Sequence, residues 1–130
     1  MGKQGLEDLK VWQKARELAV QVCKELLPQL PPEEKFALSQ QMRRAVQSVP
    51  ANIAEAYGRY SFQDAMRFLY IARGSLEETY SQLVIAMDLD YSDTDTISAC
   101  MEKYKETTRL LNGYIDYLKI SQKKEGRQEI

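Results

Sequence analysis

Residues 41–76 read QMRRAVQSVPANIAEAYGRYSFQDAMRFLYIARGSL, and the spacing of their apolar side chains decides the fold class. Met42, Ala45, Val46, Val49, Ile53 and Tyr57 recur at the intervals of one face of a 3.6-residue helix. Arg43, Arg44, Gln47, Glu55 and Arg59 fall towards the opposite face. The small residues Ala45, Ser48, Ala51, Ala54 and Ala56 leave room for a second backbone to approach. Pro50 interrupts this pattern and removes one hydrogen bond, to the Val46 carbonyl, so it is expected to bend the helix without ending it. Gly58 is expected to close the helix in the left-handed conformation, and Ser61 with Asp64 to cap the next one.

Outward from this stretch, four helical segments and no strand are expected. Residues 6–30 put Leu9, Trp12, Ala15, Leu18, Ala19, Val22, Leu26 and Leu30 on one broad apolar face before Pro28, Pro31 and Pro32 break the chain. Pro32, Glu33 and Glu34 suit the start of a second helix over about 32–57. The third, about 62–89, repeats Phe62, Leu69, Leu76 and Leu83 every seven residues, with Ala65, Ala72, Thr79 and Ala86 between them. That alternation is a seam for close helix packing. SDTDT at 92–96 turns the chain into a fourth helix, whose seam runs Ile97, Tyr104, Leu111 and Leu118 with Met101, Thr108 and Ile115. Short loops between four helices favour an all-α, antiparallel up-down-up-down four-helix bundle in one domain over 1–120. Residues 121–130, SQKKEGRQEI, lack apolar period and are expected to form a flexible tail.

A four-helix core needs one stripe per helix, yet two helices carry a second. Phe68, Ile71, Ile85 and Leu89 form one such stripe, and Cys100, Leu110, Tyr114 and Tyr117 the other. The expected reading is an oligomer interface centred on Phe68, Ile71, Ile85, Tyr114 and Tyr117, because soluble monomers rarely expose large apolar patches.

Composition sets further bounds. With 44% apolar and 28% charged residues in 130, the chain is that of an ordinary globular domain, able to bury roughly two thirds of its unfolded surface. No apolar run is long enough for a membrane span and MGKQGLEDLK has no signal-peptide character, so a cytoplasmic protein is expected. The net charge of −1 conceals banding. Residues 43–76 hold five arginines against two acids, 77–102 seven acids and no base, and 103–127 seven Lys or Arg.

The absence of histidine excludes His-based acid–base catalysis, Ser-His-Asp and Cys-His sites, and the Glu-x-x-His pairs of di-iron bundles. No phosphate-cradling glycine loop occurs, and no metal or cofactor is expected. The chain is therefore not expected to be an enzyme. Cys23 and Cys100 would lie at similar height on antiparallel neighbours, but are expected to be free and to serve as two small buried side chains.

The candidate binding residues are Arg43, Arg44, Arg59, Arg67 and Arg73, all arginine, the side chain suited to bidentate phosphate contacts. Tyr57, Tyr60 and Tyr70 lie among them; core or interface contact is the role expected of each, with stacking of unpaired bases as the alternative. Arg73 with Glu77 also fits an ordinary surface pair, and Arg43 with Arg44 a solvated face. On this reading Arg43→Glu with Arg44→Glu abolishes RNA binding, and deletion of 121–130 weakens it only slightly. Lys103, Lys105, Arg109, Lys123 and Lys124 form a competing basic surface.

Three stretches carry a resemblance: LKVWQKARELA at 9–19, QMRRAVQSVPANIAEAYGR at 41–59 and FLYIARGSLEETYSQLVIA at 68–86. Over roughly 6–120 the chain resembles the four-helix proteins encoded in intervening sequences of bacterial 23S rRNA genes, also labelled S23 ribosomal proteins. The SVPANIAE segment at 48–55, followed by Gly58-Arg59, is its most specific part. Ala56 departs from the pattern, which commonly has Gly there. The resemblance implies a non-enzymatic bundle that assembles as a homopentamer. It extends to the accessory variability determinant proteins of diversity-generating retroelements, which are similar in fold and bind nucleic acid and a reverse transcriptase. The expected function is an oligomeric binding or scaffold protein contacting RNA or a ribonucleoprotein. The alternatives are an accessory subunit of a reverse transcriptase and a structural oligomer with no nucleic-acid role.

Overall fold

The computed structural model describes residues 5–129. Residues 1–4 and 130, the outermost parts of the expected domain and tail, lie outside the described residues. A 3₁₀ turn at Leu6–Asp8 leads into helix α1, Lys10–Gln21, then come α2, Leu38–Gly58, α3, Phe62–Asp88, and α4, Thr94–Glu129. No strand occurs among the described residues.

The proline-rich end of the first segment changes its winding rather than simply stopping it. α1 passes into a π turn at Val22–Leu26 and a 3₁₀ turn at Leu27–Gln29. Pro28 explains the change, because it has no N–H for the Lys24 carbonyl and its ring crowds that group. Pro32–Glu34 forms a separate 3₁₀ turn, and α2 begins only at Leu38, later than the expected residue 32. The delay traces to Ala37, whose backbone is non-helical at φ −123°, ψ −104°. Glu34 spans the gap: its carboxylate accepts the Leu38 N–H at 3.2 Å and the Tyr91 hydroxyl at 2.7 Å.

α2 runs unbroken through Pro50. Beside the proline, the Asn52 amide donates to the Ser48 carbonyl at 2.8 Å and to its hydroxyl at 2.9 Å. The two hydroxyls of Ser48 and Ser75 meet at 2.8 Å, a separation that only small side chains permit between α2 and α3. Gly58 does not take the left-handed conformation; α2 ends on an extended Arg59 at φ −83°, ψ 141°. The left-handed residue is Asp90 at φ 57°, just past α3, where the Tyr91 N–H returns to the Ala86 carbonyl at 2.9 Å. Ser61 caps α3 as expected, accepting the Asp64 N–H at 3.1 Å.

Each helix packs chiefly on two others: α1 on α2 and α4, α3 on α2 and α4. Ion pairs join Lys14 to Glu106 and Glu17 to Lys103, while Arg73 reaches Asn112 and Glu77 reaches Tyr104. The α3 seam is the centre of the core, with Leu69, Leu76 and Leu83 fully buried beside Ala72 and Ala86. On α4 the buried set is Ile97, Cys100, Thr107, Leu111 and Ile115. Cys100 is therefore core and not part of an outer stripe, and burial, with Glu25 nearby, pushes its thiol up to about 11. Both cysteines are free.

The expected flexible tail also differs. α4 continues through 121–129 as helix, since Gln, Lys, Glu and Arg are good helix formers and no proline intervenes. Among the described residues no helix is long and apolar enough to cross a membrane.

Candidate nucleic-acid interface

The turn between α2 and α3 brings two of the five arginines onto one aromatic ring. Arg59, leaving α2 in an extended conformation, holds its guanidinium carbon 4.7 Å from the Phe68 ring centre, and Arg67 lies 4.8 Å from the same centre. Each keeps a surface ion pair, Arg59 with Glu55 at 3.0 Å and Arg67 with Asp64 at 3.7 Å. Exposed pairs of this kind contribute little, so both guanidiniums can exchange a carboxylate for a phosphate at small cost.

Further along α3, Arg73 lies 5.0 Å from the Tyr70 ring centre and donates to the Asn112 side-chain oxygen at 3.2 Å. Lys119 of α4 stands 6.0 Å from the same ring. Arg73, Lys119 and Lys123 have no carboxylate partner among the described residues. Between these elements runs an open groove of about 610 Å³. Phe62, Met66 and Tyr70 supply its apolar lining, and Arg67, Lys119 and Lys123, with Gln63 and Gln122, its polar edge. Tyr60, fully exposed, sits in the turn. The result is a continuous cationic and aromatic band from Arg59 across α3 to Lys123.

Arg43 and Arg44 do not belong to it. They are exposed near the start of α2, about 24 Å along the helix from Arg59 at 1.5 Å per residue. Arg43 borders a cleft at the proline-rich turn, and Arg44 a shallow groove beside Ser75 and Glu78. Sequence reasoning missed Phe62, Met66, Lys119 and Gln122. The signal for the two α4 residues was the helix-forming composition of 119–125.

The competing basic surface on α4 is partly neutralised. Lys103 donates to Glu17 at 2.9 Å, and Lys14 lies 3.3 Å from Glu17 and 3.5 Å from Glu106. The Lys103 hydrogen bond is the largest of the effects that hold the Glu17 carboxyl below its ordinary value of 4.5. A depressed carboxyl adds stability above its unfolded value and loses it as pH falls through the folded one. Urea midpoints of the parent and Glu17→Gln are thus expected to differ modestly at about pH 7 and to converge only as pH falls below the ordinary carboxylate range, through the lowered folded value.

The residues expected at an oligomer interface divide in two. Phe68 and Tyr114 are half-buried against the core. Tyr114 lines a small cleft with Leu9, Val11 and Tyr57, and burial, then Tyr57 and Tyr117, push its phenol up. Ile71 and Ile85, each 45% exposed, and Tyr117, 63% exposed, remain on the surface. Leu89, just past the end of α3, is likewise exposed, at 51%. Among the described residues no group of Cys, Asp and Glu gathers at metal-ligand spacing.

The comparisons agree with this architecture. The fold is similar to a crystal structure of a protein of unknown function from the S23 ribosomal protein family of Bacteroides thetaiotaomicron. The match has a TM-score of 0.76 at 30% identity and covers 85% of this chain and 98% of the other. No curated protein matches the chain. The model of the 23S rRNA-intervening sequence protein family matches residues 7–113, and the chain belongs to that family.

Proposed function

We propose that the protein is a non-enzymatic scaffold that binds RNA, free or in a ribonucleoprotein, through the band from Arg59 to Lys123. The observation that carries this reading is the convergence of Arg59 and Arg67 on Phe68, and of Arg73 and Lys119 on Tyr70. Arginine forks and lysines beside the exposed Tyr60 and Tyr70 rings suit phosphates and bases together, while Phe68 holds the Arg59 and Arg67 guanidiniums in place. The reading needs no catalytic step; the residues of the band hold charge and offer surface. It places the protein in the cytoplasm, where RNA is available.

The helices form an antiparallel up-down-up-down bundle in this reading, supported by the reversed order of the α1–α4 and α3–α4 side-chain pairs. The bundles assemble into a homo-oligomer, a pentamer by resemblance to the family. Support comes from Ile71, Ile85, Leu89 and Tyr117, large apolar side chains left in water. Repetition of the band around a ring sums weak contacts into useful affinity.

Two measurements test this. Fluorescence anisotropy with labelled RNA is expected to give binding at about 50 mM salt. Its log K should fall by about 0.7 per phosphate contact with log salt on single strands, or about 0.9 on duplex. No binding at that salt overturns the RNA reading. Light scattering at micromolar concentration is expected to give a mass several times 15.0 kDa. Ile85→Asp and Tyr117→Asp should each lower it, because a carboxylate buried without a partner costs several kcal/mol. A monomeric parent contradicts the assembly.

A further inference from the structure

We propose that the groove between the first turns of α3 and the end of α4 receives an unpaired nucleotide of the bound RNA, so that the protein selects single-stranded or looped RNA over duplex. The inference rests on the RNA reading above and adds what that reading leaves open, the form of the RNA.

Three features point to a nucleotide. First, the groove is amphipathic in the required way. Phe62, Met66 and Tyr70 give it an apolar floor, while Arg67, Lys119 and Lys123 stand at its edge. A flat base with an anionic phosphate attached presents the same two characters in the same order. Second, its volume of about 610 Å³ lies within the roughly 300–1,000 Å³ of small-molecule sites, and a single nucleotide is a ligand of that class. Third, the cations are available. Lys119 and Lys123 have no carboxylate partner among the described residues, and Arg67 has only a 3.7 Å surface pair.

A base locked in a duplex cannot reach such a floor, because its faces are stacked and its edges paired. A smooth duplex would meet only the rim and the neighbouring Arg59. The groove exists because α4 continues beyond residue 120, which brings Gln122 and Lys123 alongside α3. Deletion of 121–130 is therefore expected to weaken single-strand binding several-fold, not slightly.

The test is a fluorescence-anisotropy titration of a labelled mixed-sequence single strand of about twelve nucleotides and of its blunt duplex, at two salt concentrations. The parent protein is expected to favour the single strand. Tyr70→Ala is expected to lower single-strand affinity by about 5- to 150-fold, the range for losing one base–aromatic stack. It should lower duplex affinity much less and leave the salt slope in place, and Tyr70→Phe should retain both affinities. Lys123→Ala should instead lower the single-strand salt slope by about 0.7, as for one phosphate contact. Equal affinity of the parent for the two forms overturns the groove proposal. So does a Tyr70→Ala effect that is absent, or that falls equally on both forms. Failure of the parent to bind either probe overturns the RNA reading and this proposal with it.

Discussion

Arg59→Glu combined with Arg67→Glu is expected to abolish RNA binding at about 50 mM salt, while Arg43→Glu combined with Arg44→Glu leaves most of it. The first pair lies in the band, on either approach to Phe68, and its reversal replaces two phosphate-seeking forks by two repelling carboxylates. Hydrogen bonds to charged groups contribute about 1.5–3 kcal/mol each, so losing two corresponds to at least about a hundred-fold in affinity. The second pair sits at the far end of α2, among groups that do not join the band. Because Arg59 and Arg67 also cover Phe68, thermal melting should accompany the titration. Arg59→Lys with Arg67→Lys keeps the charge without the fork, and intermediate affinity is expected from it. Loss of binding in the Arg43/Arg44 variant and not in the Arg59/Arg67 variant would move the site to the start of α2.

Leu76→Ala is expected to destabilise the fold by about 2–5 kcal/mol, measured as a shift of the urea midpoint at unchanged slope. Leu76 is fully buried in the middle of the α3 seam, and the side chains that pack on it are held by two neighbouring helices. Against a total stability of about 5–15 kcal/mol that is a large fraction. Ile85→Ala, at a half-exposed position on the same helix, should by contrast cost little in the isolated subunit. A Leu76→Ala effect no larger than that of Ile85→Ala would mean that the seam does not form the core.

The seam was legible because α3 repeats the same large and small residues at fixed intervals, and Leu69, Leu76 and Leu83 all lie in the core. On α4 the seam was legible too, with Ile97, Leu111 and Ile115 buried and Met101, Tyr104 and Leu118 packed against the core. The second stripe was the part misread: Cys100 lies about 60° from Ile97 around the helix, on the edge of the buried arc, and belongs to the core. Gly58 carried the usual sign of a left-handed helix end, but the chain leaves α2 in an extended direction and the left-handed residue is Asp90. For the tail, lack of apolar period was read as lack of structure, whereas helix propensity alone continues α4 to Glu129.

The candidate site was legible in its residue types and less so in its grouping. Arginine and tyrosine in one stretch pointed to phosphates and bases, and Arg59 and Arg67 do meet, at Phe68, with Arg73 beside Tyr70. Closeness in sequence did not carry over to Arg43 and Arg44, because a helix separates residues by its rise as well as by its turn. Lys119 and Lys123 enter from α4, more than forty residues away along the chain. No spacing rule within residues 41–76 could have brought them in; packing of α4 against α3 does.

Photo-crosslinking of the intact protein to a 4-thiouridine-containing single strand, followed by mass spectrometry of the joined peptides, tests the location of the site most directly. The account predicts crosslinks within residues 59–73 and 119–123, lost on competition with unlabelled RNA. Crosslinks confined to residues 28–44 around Arg43 and Arg44, or to the Lys103–Arg109 surface of α4, would contradict it.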